Sequence, residues 1–197
     1  MSRLATAGDN GWDRSVCTGS PYCPPRCPRF VDKEGDRWIL RPAGEHDLDR
    51  LVAFYDAFGP ADRSMGIPPA VDHRRRSWIE TLLAEGHNIV AEDDDGVVGH
   101  VAYTPAEADR PELAVFVHPE RQSRGIGTEL CAQAAAAAVD ADRAALELHV
   151  DQRNRAAVAV YRRLGFEVVD ADHTMQMALE LDESVAATVC APPADRS

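Results

Sequence analysis

From Leu113 to Leu130 the chain reads LAVFVHPERQSRGIGTEL, so Gln122, Gly125 and Gly127 make Q-x-x-G-x-G between an apolar run and a helical pattern. Glycine lets backbone approach a ligand closely, and the free amides at a helix start, aided by the macrodipole, suit a pyrophosphate. The same glycines also serve turns that bind nothing. The segment lacks the third glycine and the early-chain position of a dinucleotide fingerprint and has no Gly-Lys-Ser or Gly-Lys-Thr, which argues against NAD and ATP. Side chains able to move protons lie on either side of this turn. Glu112 precedes the apolar run, and in Ala144 to Val150 the residues Leu146, Leu148 and Val150 alternate with Glu147 and His149, which puts both polar groups on one strand face. Tyr161 falls at helical spacing with Leu164, as a packed core phenol would.

The thiols suggest less. Cys17, Cys23 and Cys27 are not spaced as paired C-x-x-C motifs, and a structural zinc site usually needs four ligands, so reduced thiols and no metal are expected. Cys131 lies in a helical pattern and Cys190 near the end, which gives no disulfide framework.

The elements that must position these groups follow from periodicity. Trp38 to Leu40 is a short strand ended by Pro42; Leu48, Leu51, Val52, Tyr55 and Phe58 make a helix stopped by Gly59 and Pro60. After a loop with Gly66, Pro68 and Pro69, the stripe Trp78, Ile79, Leu82, Leu83 predicts a second helix. Asn88 to Ala91 and Val97 to Tyr103 flank Asp93, Asp94, Asp95 and Gly96, a hairpin signal. Leu113 to Val117 is a strand, the turn through Gly127 opens an alanine-rich helix, and Ala144 to Val150 is the next strand. Asn154 then caps a helix that Gly165 ends, and Phe166 to Val169 and Thr174 to Leu181 supply two more strands. The order β-α-α-β-β-β-α-β-α-β-β specifies an α/β (α+β) fold: a mixed sheet of six to seven strands flanked by about four helices. Residues 1–35, with Pro21, Pro24, Pro25 and Pro28, read as an irregular arm, 36–181 as the domain, and 182–197 as a loose tail.

With the motifs in this order, the sequence resembles the GNAT superfamily of acyl-CoA-dependent N-acetyltransferases. The signature Arg or Gln followed by x-x-G-x-G or x-x-G-x-A matches Gln122 to Gly127; an Asn opening the next helix, a Tyr seven residues later and a Gly-Phe pair match Asn154, Tyr161, Gly165 and Phe166. The resemblance covers Trp38 to Leu181. It implies that acetyl-CoA lies in a V-shaped opening between the strands Leu113 to Val117 and Ala144 to Val150. The pantetheine would pair with the backbone of Val115, Phe116 and Val117. The pyrophosphate would take amides from Ser123, Arg124, Gly125, Ile126, Gly127 and Thr128, beside Gln122, with Asn154 nearby.

The resemblance gives Tyr161 the role of general acid towards the departing thiolate, which suits a phenol of ordinary pKa about 10 facing a thiol of about 8.5. An attacking amine must also lose its proton before it has a lone pair to give. Glu112 stands where related enzymes place a catalytic glutamate. His149 stands five residues before the motif Asn, where some relatives carry a basic glutamate, and an imidazole suits a base. Both stay candidates. His118 and His173 receive no role.

Composition sets the outer limits. Among 197 residues, 45% are hydrophobic and 27% charged, a globular balance. The net charge of −12 disfavours nucleic acid, and the absence of a long apolar run disfavours a membrane span, so a cytoplasmic protein is expected. One lysine, Lys33, among many arginines suggests a salt-rich, halophilic setting. The expected protein is a monomer or homodimer that transfers acetyl from acetyl-CoA directly to a primary amine: a protein N-terminus, a protein lysine or a small amine. The alternative on the same fold is a non-catalytic acyl-CoA sensor.

Overall fold

Where sequence periodicity is strict, burial follows it residue by residue. In the computed structural model, which describes residues 13–63, 67–172 and 174–196, Trp38 and Leu40 are buried while Arg37 and Ile39 are exposed. They belong to β2 (Arg37–Pro42), which pairs antiparallel with a short β1 (Arg29–Val31). Gly66, His173 and residues 1–12 of the arm lie outside the described residues. Two helices follow, α1 (Leu48–Asp56) and α2 (Asp72–Glu85), and then the hairpin β3 (His87–Asp93) and β4 (Gly96–Thr104). Next come β5 (Glu112–Val117), α3 (Ile126–Asp140), β6 (Ala145–Val150), α4 (Arg155–Leu164), β7 (Glu167–Asp170), β8 (Met175–Glu180) and α5 (Glu183–Val189). The spatial order of the single described sheet is β1-β2-β3-β4-β5-β6-β8-β7. Among its neighbours only β5 and β6 run parallel, joined by the crossover through α3, as a parallel pair requires.

The sheet is covered on both faces. On one, α3 lies over Leu40, Val101, Leu113 and Leu148, with α4 and α5 beside it. Its alanines bring the helix close, and Gly99 on β4 is where they meet: a Cβ there would stand 2.6 Å from Leu130 Cδ1. On the other face α1 and α2 bury Leu51, Phe54, Tyr55 and Ile79 against Val90.

The expected elements between Arg37 and Glu180 are present, and the fold is the mixed α+β sheet foreseen, with eight strands in place of six to seven and five helices in place of about four. The additions come from the two segments read as irregular. The arm contributes β1, and the tail contributes α5, whose N-cap Asp182 accepts the amides of Ser184 and Val185 at 2.9 Å. Both pack on α3. Arg26 makes a bidentate pair with Glu129 of α3 (2.7 and 2.8 Å) and donates to the carbonyl of Val189 in α5 at 2.7 Å. No helix among the described residues is long and apolar enough to cross a membrane.

Candidate active site

The site begins where two strands part. β5 pairs with β4 over six residue pairs, from Thr104 with Glu112 to Gly99 with Val117, yet with β6 it shares only Glu112 with Glu147. Beyond that pair the strands diverge, so β6 leaves the backbone groups of Ala114 to Val117 unmatched along one edge. Such groups seek a partner, and an extended amide-bearing ligand can supply one. Val115, Phe116 and Val117, the residues expected to hold pantetheine, line this edge and are half-buried.

Above the parted strands is the turn. Ser123 (φ +64°) and Gly125 (φ +98°) both adopt left-handed backbone, a conformation that favours glycine. Gly125 is the N-cap of α3, and the helix's first return bond runs from the Glu129 amide to the Gly125 carbonyl at 3.1 Å. The amides of Ile126, Gly127 and Thr128 precede it and so have no intrahelical acceptor. This is the arrangement that suits a diphosphate. Gln122 is exposed, and its amide reaches the carbonyl of Val117 at 3.4 Å.

Arg124 behaves differently from its neighbours. Its side chain is 5% exposed and turns into the protein, where it pairs with Asp32 (2.5 Å) and Asp36, reaches Glu34 at 3.3 Å and lies over the Trp38 ring. Only its backbone faces the ligand-binding role that the sequence motif implies. Burial works against the Asp32 charge, but hydrogen bonds from Trp38 and the amides of Glu34 and Asp36, with the Arg124 guanidinium, outweigh it and hold the carboxyl below its usual range.

On the α3 side of the gap, Asn154 caps α4 by accepting the Ala157 amide at 3.1 Å, and about two turns later Tyr161 packs on Phe166 with ring centroids 5.6 Å apart. Burial, with Cys131 nearby, pushes the Tyr161 phenol well above its ordinary value, so it stays protonated. Cys131 is fully buried with its thiol pushed up to about 12 by desolvation, which makes it inert as a nucleophile.

On the opposite sheet face the two rival bases meet. His149 Nδ1 lies 3.1 Å from Glu112 Oε1, across the mouth of the gap, with both side chains open to solvent. Facing an ionised carboxylate, which only accepts, a neutral imidazole would carry its proton on Nδ1 and keep the lone pair on Nε2. Glu147, on the same face, is held by Arg110 (2.6 Å) and Gln176 (3.3 Å), and Arg110 also ties it to Glu180.

No motif marks the wall beside them. Tyr55 of α1, Trp78 of α2 and Phe116 of β5 meet edge to face, with centroids 5.1 to 5.7 Å apart, and Trp78 and Phe116 stay half-exposed. Behind them the fully buried Tyr55 hydroxyl lies 2.7 Å from His100 Nδ1, and His100 Nε2 lies 3.1 Å from Asn88 Oδ1. The Asn88 amide in turn donates to the carbonyls of Leu82 (2.6 Å) and Gly86 (2.9 Å). Every member is paired in one direction of donation, which requires a neutral His100 protonated on Nε2. β4 does not alternate, so nothing in its own sequence marks His100; its partners come from α1 and from the neighbouring strand β3.

The profile of the Acetyltransferase (GNAT) family matches residues 47–166 of the chain. The chain belongs to this family. Membership makes it an acetyl-CoA-dependent N-acetyltransferase. This GNAT protein is 30% identical over 137 residues to the L-methionine sulfoximine/L-methionine sulfone acetyltransferase of Pseudomonas aeruginosa, covering 66% of this chain and 80% of that one. It is 36% identical over 130 residues to the mycothiol acetyltransferase of Nocardia farcinica, covering 66% of this chain and 40% of that protein. Among solved structures, the GNAT domain of S. lividans PAT superposes with a TM-score of 0.66 at 21% identity, over 77% of this chain and 95% of that one. The yncA structure from Salmonella typhimurium, solved with acetyl-CoA, superposes at 0.60 and 21% identity, over 75% and 96%. At those identities the superpositions speak for the fold alone.

Proposed function

We propose that this acetyltransferase moves the acetyl group of acetyl-CoA directly to the primary amine of a small molecule, with amino acids and their sulfur-bearing analogues as the first acceptor class. The observation that carries the reading is the parted β5–β6 pair with one proton-handling group on each side: Tyr161 on the α3 face and the His149–Glu112 pair on the other. The names of the relatives, which include an L-amino acid N-acyltransferase of Escherichia coli at 25% identity over 48% of this chain and 58% of that one, support the acceptor class. So do the half-exposed rings of Trp78 and Phe116, backed by the buried Tyr55, which suit an apolar or polarisable side chain.

In this reading acetyl-CoA supplies a thioester whose carbonyl the amine attacks. His149 Nε2 takes the ammonium proton, Glu112 holds the imidazole in the tautomer that leaves Nε2 free, and the amides of Gly125 to Thr128 fix the diphosphate. Tyr161 donates a hydrogen bond from its hydroxyl to the sulfur as the carbon–sulfur bond breaks, and the proton shed by the nitrogen as it becomes an amide nitrogen replaces the one the hydroxyl passes to the thiolate, so the phenol ends neutral, as its raised pKa favours.

The test is thiol release from acetyl-CoA across a panel of free amino acids, peptides and polyamines. Tyr161→Phe keeps the ring and is expected to lower kcat roughly ten- to ten-thousand-fold with acetyl-CoA affinity unchanged. His149→Gln should lose activity that returns as pH rises and the amine deprotonates unaided, whereas Glu112→Gln should lose less. Equal turnover by all three would remove these roles. A parent that binds acetyl-CoA but acylates nothing would favour a coenzyme sensor.

A further inference from the structure

The arm that appears irregular in sequence sits against the diphosphate turn. Phe30 Cζ would lie 3.5 Å and Lys33 Cε 3.9 Å from a Cβ at Gly125, and the Lys33 amide donates to the Arg124 carbonyl at 3.1 Å. Between arm, turn and α4 is a cavity of about 270 Å³. Its wall includes Gly125 and Thr128 of the turn region together with Arg14 and Lys33 of the arm and Arg163 of α4. Two acids also line it, Asp32 and Glu129, but each is held by a buried guanidinium, Arg124 and Arg26 respectively. Arg14, Lys33 and Arg163 form no ion pair among the described residues. The cavity is therefore cationic in a chain whose net charge is −12. Arg124, which closes its inner side at 5% exposure, keeps a buried Nε with no hydrogen-bond partner.

Three cations gathered with no ion-pair partner among the described residues cost repulsion unless an anion joins them. The free amides of Ile126 to Thr128 can satisfy the bridging diphosphate of a coenzyme A molecule, but not also a phosphate monoester, which carries nearly two charges at neutral pH. We infer that this cavity is the subsite for the 3′-phosphorylated ribose of the coenzyme, and that Lys33 and Arg14 of the N-terminal arm, with Arg163 of α4, receive its 3′-phosphate. The arm is then part of the coenzyme site, in addition to bracing α3. The inference rests on the acetyl-CoA reading above and adds a discrimination that reading does not contain.

Calorimetric titration of the full chain with coenzyme A and with 3′-dephospho-coenzyme A separates the two. The parent is expected to bind coenzyme A about tenfold or more tightly than the dephospho form. Lys33→Met and Arg163→Met, which keep an aliphatic stem, should each weaken coenzyme A about three- to tenfold and leave the dephospho form within about twofold. Circular dichroism and melting without ligand check that both variants fold. A parent that binds both ligands equally, or variants that weaken both equally, would overturn the subsite while leaving the coenzyme reading intact. A folded parent that binds neither would overturn the coenzyme reading itself, and the subsite with it.

Discussion

The two faces of the sheet are attached to it by different polar links. On the α3 face the arm and tail are held by ion pairs with buried members: Arg26 with Glu129, and Arg124 with the buried Asp32 and the exposed Asp36. On the α1–α2 face the buried link to the sheet is the neutral chain Tyr55–His100–Asn88, set in a cluster of aromatic rings, with ions around it: Arg41 holds the buried Asp47 and Glu92, and the buried Arg75 of α2 pairs with Asp56 of α1 and with Asp72. The difference matches the ligand each face would meet. A coenzyme with fixed phosphates is served by a turn that cannot drift, and ion pairs in a low-dielectric site penalise any displacement steeply. A small acceptor is served by a neutral apolar wall next to an open proton-accepting mouth, where a buried charge would bind or repel the incoming ammonium.

The largest expected effect is on the ionic face. Arg26→Met leaves Glu129 buried without its bidentate partner, which costs about 3 to 5 kcal/mol for a pair of this kind. Arg196 Nη1, 3.5 Å from Glu129 Oε1, keeps the loss near the lower figure. Urea unfolding at neutral pH measures it, and adding Glu129→Leu should restore most of the loss, because the cost comes from the orphaned charge. A loss under about 1 kcal/mol would mean that the ions are not what holds the arm, and the contrast between the faces would fail.

Acid should distinguish the faces in the other order. Burial lowers His100 to about 3, with the Asp47 charge opposing it, against about 6.5 unfolded. Below pH 6.5 the unfolded chain takes up a proton that the folded chain refuses, so stability falls as pH drops, by about 1.4 kcal/mol per unit until about pH 3. At pH 5 that is about 2 kcal/mol. Asp32 of the arm is still ionised there, since hydrogen bonds and the Arg124 guanidinium hold it below its usual range. Hydrogen exchange at pH 5 should therefore show α1 and α2 losing protection before the arm does. His100→Gln should unfold more easily at neutral pH yet show a flatter acid slope than the parent; an unchanged slope would remove His100 as its source.

The same contrast explains what was legible in the sequence. Strands and helices between Arg37 and Glu180 follow from local periodicity, and the glycine turn, Asn154 and Tyr161 follow from short spacings. The pairing of Glu112 with His149 was half legible: alternation placed His149 on the polar face of β6, but only the parallel register of β5 and β6 brings the two side chains together. The order of the arm was not legible. Its prolines suppress helical and strand periods, and its attachments, Arg26 to Glu129 and Arg124 to Asp36, join residues 103 and 88 positions apart. The tail helix did leave a signal, Asp182 followed by Val185 and Val189 at helical spacing, which the flanking prolines Pro192 and Pro193 obscured. The motif assigns Arg124 a backbone role, but its side chain answers to the arm, a partner that no motif specifies.

The smallest expected effect decides whether charge or hydrogen bonding fastens the arm. Gln133 of α3 is nearly buried and donates from Nε2 to the carbonyl of Cys27 at 2.7 Å, one residue from Arg26. It is a neutral link within the ionic attachment, the counterpart of Asn88 on the other face. Gln133→Met keeps the length and most of the volume of the side chain and deletes the donor. Cys27 is only half-buried, so water can reach its freed carbonyl, and the loss should be that of an ordinary hydrogen bond, about 0.5 to 1.5 kcal/mol. Measured beside Arg26→Met in the same urea series, it should come out at about a third of the ionic loss. If the two variants cost the same, the arm is held by its summed contacts and the ions have no special place. If Gln133→Met costs nothing while Arg26→Met costs its full amount, the arm is fastened through charge alone, and raised salt should loosen it little, since buried pairs are poorly screened.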